Sequence, residues 1–192
     1  MQKIIAATKN KNKVKEFKEI LPDFDIITQE EAGIDHDVEE TGTTFRENAL
    51  LKAQAIFEKT GIPALADDSG LEVFSLGGEP GVYSARYGGE GLDDRGRLEL
   101  LLKNMEEVED GLRGARFVCS IAFVTEEKTY EAEGSCEGEI IREAKGENGF
   151  GYDPVFYVPE MGKTAAEMTS DEKNSISHRG KALRALAEML GN

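Results

Sequence analysis

Ile4-Ile5-Ala6-Ala7-Thr8-Lys9-Asn10-Lys11-Asn12-Lys13-Val14-Lys15-Glu16-Phe17 is the stretch that decides how this chain folds. Its four leading apolar residues read as a short strand. Val14, Phe17, Ile20 and Leu21 then recur at helical spacing. Between them lies a turn of hydroxyl, amide and ammonium groups. Free backbone N–H groups converge at a helix N-terminus, so a strand, a polar turn and a helix in that order suit an anion. Thr8, Lys9, Asn10, Lys11, Asn12 and Lys13 supply the donors that suggest phosphate. In the first eighteen residues six lysines face a single acid, Glu16. A solvated lysine run at a chain end would explain that segment equally well if it stood alone.

The rest of the chain is acidic. The 192 residues carry a net charge of −15, with 39% hydrophobic and 32% charged residues. This is the composition of an ordinary globule with enough length for a core. An acidic surface repels nucleic acid and anionic membrane, which excludes broad binding to either. A polyanionic ligand must instead be met by a local basic pocket, and nearby carboxylates would suit Mg²⁺. Cys119 and Cys136 sit in strand-like segments without metal-ligand spacing and read as buried free thiols. No stretch resembles a signal peptide or approaches membrane-spanning length, so a cytoplasmic protein is expected. Without internal repeats or a linker, the expectation is one domain over residues 1–192.

Outward from the first unit, residues 25–28 read as a strand and 29–42 as a polar, acidic stretch. Thr44 and Glu47 form a capping box ahead of a long helix, which Gly61 and Pro63 stop. Residues 63–66 read as a brief strand ending at Asp67-Asp68-Ser69-Gly70, with extended structure resuming at 71–74. Asp93 or Asp94 caps a helix carrying Leu98, Leu101, Leu102 and Met105. Residues 115–125 and 129–143 read as antiparallel strands around Glu126-Glu127-Lys128. Gly149-Phe150-Gly151-Tyr152-Asp153-Pro154 leads into a strand over 155–158. The last helix carries Leu183, Leu186, Ala187 and Leu190. Mixed α/β is the resulting class.

Several residues could do chemistry, each with a plainer alternative. Asp67-Asp68 ends an apolar strand, where open α/β sheets place ligands, although DDSG alone is commonly a turn. Adjacent aspartates repel, and a cation would relieve them. In extended backbone they point to opposite faces, so one of them enters a cleft. Glu39-Glu40 offers a second metal ligand. Lys52, on the shoulder of an apolar helix face, either snorkels outward or joins Lys13 in bracketing phosphates. The Phe150 loop suits a planar ligand, or plugs a small core. Ser177-His178-Arg179 opens the last helix as a donor cluster, or as a plain N-cap with surface neighbours. His36 reads as a surface histidine.

Taken together, these motifs resemble those of the inosine triphosphate pyrophosphatase family. The resemblance rests on Thr8-x-Asn10-x-x-Lys13, on Ala66-Asp67-Asp68-Ser69-Gly70-Leu71, and on Leu76-Gly77-Gly78 with Pro80-Gly81. It continues through Tyr83-Ser84-Ala85-Arg86-Tyr87, Phe150-Gly151-Tyr152-Asp153-Pro154 and Ser177-His178-Arg179-Gly180. It spans essentially the whole chain. One departure is Asn148, where family members often carry glycine, which would stiffen the loop. The resemblance implies an elongated mixed β-sheet with flanking helices, two lobes around a central cleft, and a homodimer. It also implies Mg²⁺-dependent hydrolysis of ITP, dITP and XTP to monophosphate and pyrophosphate. Under it Thr8, Asn10, Lys13 and Lys52 grip phosphates, Asp68 is catalytic and binds metal with Glu40, and Phe150 stacks on the purine. Asp153 faces the ring edge, His178 and Arg179 donate to the 6-keto oxygen, and Ser69, Gly151, Tyr152 and Lys173 contact substrate. The Maf-like pyrophosphatases, a nucleotide sensor and a nucleic-acid module are the competing readings. The Phe150–Asp153 and His178–Arg179 motifs argue against the first, and the acid pair argues against the other two.

Overall fold

The computed structural model describes residues 1–35 and 38–191, so His36 lies outside the described residues. Strand β1 (Gln2–Ala6) leads through the polar turn into helix α1 (Lys11–Ile20). Thr8 Oγ1 accepts the Asn10 N–H at 3.1 Å. The Asn10 side chain in turn accepts from the backbone of Asn12 (3.0 Å) and Lys13 (3.3 Å). Asn10 is thus the N-cap, satisfying two donors of the first turn. Strand β2 (Phe24–Thr28) runs parallel to β1 with Ile4 opposite Ile26. Helix α2 (Phe45–Thr60) starts at the Thr44–Glu47 capping box and stops at Gly61, whose φ of 67° favours glycine.

Strand β3 (Ala64–Val73) pairs in parallel with β1 at Ala64 and Leu65. Here the structure corrects the reading of the sequence. Asp67-Asp68-Ser69-Gly70 does not close a short strand, because β3 continues through it. As an inner strand β3 has neighbours on both sides, and Ser84 Oγ accepts the Leu71 N–H at 2.8 Å beyond the acid pair.

Helix α3 (Asp94–Asn104) is capped by Asp93, whose carboxylate accepts the Gly96 N–H at 2.8 Å. Strands β4 (Gly114–Val124) and β5 (Thr129–Ile140) form a hairpin closed by the Thr125 N–H on the Lys128 carbonyl (3.0 Å). Strand β6 (Phe156–Val158) is antiparallel to β5, and β7 (Lys163–Thr164) to β6. Helix α4 (Ser170–Ile176) is followed by α5 (His178–Leu190), so Ser177 caps the end of α4 rather than opening the last helix alone. The sheet order is β2-β1-β3-β4-β5-β6-β7, a mixed seven-stranded sheet with flanking helices. Among the described residues no helix is long and apolar enough to cross a membrane.

The chain packs as two compact units. The first comprises Met1–Asp68, Cys119–Gly134 and His178–Asn192, and the second Ser69–Val118 and Ser135–Ser177. Strands β3, β4 and β5 each continue from one unit into the other, so no linker betrays the division.

Within the first unit the period of two sorts β1 and β3. Ile4, Ala6 and Leu65 pack with Val14, Phe17 and Leu183 of α1 and α5. Ile5, Ala7, Ala64 and Ala66 pack with Ala49, Ala53 and Ile56 of α2. The second unit has its own core, including Leu71, Leu101, Met105, Phe117, Tyr152 and Phe156.

Gly134 lets the start of α5 approach β5. A Cβ there would overlap the His178 carbonyl and stand 2.7 Å from the Ala182 nitrogen, both backbone atoms that cannot rotate away. Gly134→Ala is expected to destabilise the protein by about 1–3 kcal/mol in urea unfolding. Parental stability would contradict this packing.

Candidate active site

The alternation that sorts the core continues into the acid pair. Asp67 follows Leu65 onto the α1 and α5 face, and Asp68 follows Ala66 onto the α2 face. Asp67 is fully buried. Its Oδ2 accepts from Arg179 Nε at 3.1 Å and Nη2 at 3.0 Å, and lies 3.1 Å from Lys13 Nζ. Arg179 Nη1 donates to Glu16, one turn after Lys13 on α1. Two acids and two cations are thereby joined across α1, β3 and α5. Asp67 Oδ1 is buried without a hydrogen-bond partner. Cys119 Sγ lies 3.9 Å from Asp67 Oδ2, and burial, reinforced by Asp67, pushes its thiol well above the ordinary range. Both cysteines are buried thiols outside any disulfide, as the sequence indicated.

Asp68 is held differently. Its Oδ2 accepts from Asn48 Nδ2 at 3.0 Å, and its Oδ1 lies 3.6 Å from Lys52 Nζ. The same ammonium donates to Glu40 Oε1 at 3.1 Å. Lys52 therefore turns inward, with its side chain 12% exposed, while Lys59 on the same helix is exposed. Burial raises the Asp68 carboxyl to about 6, helped by Glu40 and opposed by Lys52 and Asn48. The Asp67 carboxyl moves the opposite way. Burial alone would raise it, but Lys13, Arg179 and Lys52 together hold it well below the usual range. Each aspartate feels both lysines, so the two faces meet in one electrostatic cluster. Glu16, Glu40, Asp67 and Asp68 stand there against Lys13, Lys52 and Arg179.

The second unit holds a separate cluster. Asp153 Oδ2 accepts the Phe150 N–H at 3.0 Å and lies 2.8 Å from Lys173 Nζ. The Lys173 ammonium sits 4.7 Å from the centre of the Phe150 ring, a cation–π contact. Gly149 has a φ of 71°, and a Cβ there would collide with the Asp153 carboxylate, so this position requires glycine. The Gly151 N–H donates to Asp94 at 3.2 Å. Tyr152 is packed in the core, with its hydroxyl donating to the Ser84 carbonyl at 2.7 Å. Asn148 anchors the loop through Nδ2 on the Met168 carbonyl (3.0 Å), a bond glycine could not make.

Of the residues expected to act together, Lys13, Lys52, Glu40, Asp68, His178 and Arg179 lie in the first unit, with Thr8 and Asn10 shaping the turn before α1. Lys9, Lys11 and Asn12 are exposed, and Lys9 lies 3.8 Å from Asp35. Phe150, Gly151, Tyr152, Asp153 and Lys173 lie in the second unit, as does Ser69 in β3 directly after Asp68. Arg179, expected at a purine edge, donates through Nε and Nη2 to Asp67 and through Nη1 to Glu16. Tyr152, expected to touch substrate, packs in the core with its hydroxyl on the Ser84 carbonyl. Two residues escaped the sequence reading. Glu16 is the lone acid among the first eighteen residues, a visible signal. Asn48 is fully buried on α2, and with Lys52 it places two polar residues four apart in an apolar stripe.

The chain is similar to known proteins over its whole length. The Ham1 family model matches residues 4–189. A protein from Staphylococcus epidermidis named dITP/XTP pyrophosphatase is 52% identical over 99% of this chain and 97% of its own. One of the same name from Salmonella paratyphi A is 51% identical over the full length of both. The structure of a HAM1 protein from Coxiella burnetii superposes with a TM-score of 0.90 at 46% identity, covering 100% of this chain and 99% of that one.

The raised Asp68 carboxyl has a thermodynamic sign. A carboxyl that binds its proton more tightly folded than unfolded costs stability as pH rises from its ordinary 3.8 to about 6, and the cost persists above that. In EDTA, Asp68→Asn is expected to stabilise the protein at pH 8 by about 1 kcal/mol or more, and not at pH 4. Urea unfolding at both pH values checks this. Equal effects at both would mean that burial of the charge is not the cause.

Proposed function

This chain belongs to the Ham1 family, and from that membership we propose that it hydrolyses ITP, dITP and XTP to the nucleoside monophosphate and pyrophosphate. The observation that carries the reading is the division between neighbouring carboxylates. Asp67 is committed to Lys13 and Arg179 and is sealed from solvent. Asp68 faces one lysine and a second acid, with its carboxyl raised to about 6. A carboxylate in the second state is the better proton acceptor.

Glu40 and Asp68 fit a divalent cation. Both are hard oxygen donors brought to one ammonium, and their mutual repulsion is what a cation relieves. Among the described residues no group of three or more His, Cys, Asp or Glu is placed to hold a metal. The fit is therefore a two-carboxylate one, which suits Mg²⁺ because it keeps waters and substrate phosphate as further ligands. When bound, Mg²⁺ would acidify water and neutralise charge on the departing pyrophosphate.

In this reading water attacks the α-phosphorus, the α–β bridging bond breaks, and pyrophosphate leaves with the bridging oxygen. Asp68 takes the water proton. Lys13 and Lys52 stabilise the phosphates, with Thr8 and Asn10 ordering the turn that presents Lys13. Arg179 acts through Asp67, keeping Lys13 in place. Phe150 offers a stacking face for the purine, braced by Lys173 and Asp153, and His178 remains the donor for the 6-keto oxygen. Adenine presents an amino group there, so donor would face donor, a mismatch worth about 10⁴-fold in specificity. The reading also includes a homodimer and a cytoplasmic setting.

Pyrophosphate release from ITP, XTP, GTP and ATP, with Mg²⁺ or EDTA, tests the proposal. Rapid turnover of ITP and XTP, poor turnover of ATP and none in EDTA are expected. Comparable use of ATP and ITP would refute the base selectivity. Asp68→Asn should lower kcat about a thousandfold, equivalent to ~4 kcal/mol. Light scattering should give twice the 21.0 kDa chain mass, and a monomer would remove the dimer from the reading.

A further inference from the structure

Asn48 does more than fill space on α2. It is fully buried, and both ends of its amide are committed. The backbone N–H of Gly42 donates to Asn48 Oδ1 at 2.8 Å. That bond fixes the amide orientation, because an N–H must meet oxygen, and so Nδ2 is aimed at Asp68 Oδ2, 3.0 Å away. Gly42 lies two residues beyond Glu40 in the chain. One side chain therefore ties the segment carrying Glu40 to the strand carrying Asp68. The fit is close: a Cβ on Gly42 would stand 2.6 Å from Asn48 Oδ1 and 2.7 Å from Glu47 Cβ.

We infer that Asn48 is a positioning residue, fixing Asp68 and the Glu40 segment relative to each other so that the two carboxylates form one cation site. The inference rests on the reading of Asp68 and Glu40 given above. Asn48 need not touch substrate. It leaves Asp68 Oδ1 toward Lys52 by holding Oδ2, and it prevents the Glu40 segment from drifting away from β3. A leucine at position 48, close in shape, would lose both bonds without adding charge. A serine would be too short to bridge.

Asn48→Leu, Asn48→Ser and Gly42→Ala are to be compared with the parent in two measurements. The first is ITP kinetics. The second is Mn²⁺ binding to the nucleotide-free protein, followed by electron paramagnetic resonance. Each folded variant is expected to lose about 10- to 100-fold in kcat, with KM for ITP within about threefold, and to bind Mn²⁺ about 10-fold more weakly. A merely structural role would reduce the folded fraction without weakening Mn²⁺ binding by the folded protein. Gly42 is in a partly exposed segment, so Gly42→Ala tests the same bridge even if the Asn48 variants fail to fold. Parental kcat and Mn²⁺ affinity in any folded variant of the set overturn the inference, and so does a change confined to KM. If the parent released no pyrophosphate from ITP, the proposed activity would fall, and the Mn²⁺ titration would still judge Asn48.

Discussion

Two consecutive carboxylates on an inner strand must face opposite sides of their sheet, and the first unit is organised around that constraint. On one side Asp67 meets α1 and α5. On the other Asp68 meets α2. Neither side chain can change face without moving β3 out of register, because β3 is paired with β1 immediately before the acid pair. The backbone thus assigns different partners, and different chemistry, to two identical residues.

The partners set the energetics. Glu16, Arg179, Asp67 and the partly exposed Lys13 form a charge-balanced chain in which one carboxylate oxygen meets two cations. Removing one member of such a set leaves an uncompensated buried charge, typically costing about 3–5 kcal/mol. The set therefore acts as a brace that holds the polar turn before α1 against β3 and α5. Asp68 has no such balance. Lys52 is shared between it and Glu40, and burial outweighs the attraction. An imbalance of this kind lowers stability, and proteins retain it where a ligand makes use of it.

The second unit solves a different problem. A glycine-rich loop is ordered by one carboxylate: Asp153 gathers the Phe150 N–H and the Lys173 ammonium, which in turn lies over the Phe150 ring. Gly149 permits that convergence because a side chain there would occupy the carboxylate's place. Tyr152 anchors the loop to the core beneath. Two aromatic residues separated by Gly151 thus take separate duties, Phe150 partly exposed under Lys173 and Tyr152 packed inside.

Much of this was legible in the sequence, because local signals were strong. The Thr44–Glu47 capping box, the Gly61 stop, the cap at Asp93 and the 125–128 hairpin all depend on residues within a few positions of each other. Helix α4 is as local, opening on the capping box of Thr169 and Glu172. What escaped were facts about distant partners. The polar string at 67–70 reads as a turn, and only the strand pairing on both sides keeps it extended. That two aspartates differ, that Arg179 pairs with both Asp67 and Glu16, and that Asn48 bridges Gly42 and Asp68 were decided by the tertiary structure alone. Periodicity states which face a side chain takes, but only folding determines which charges wait on that face.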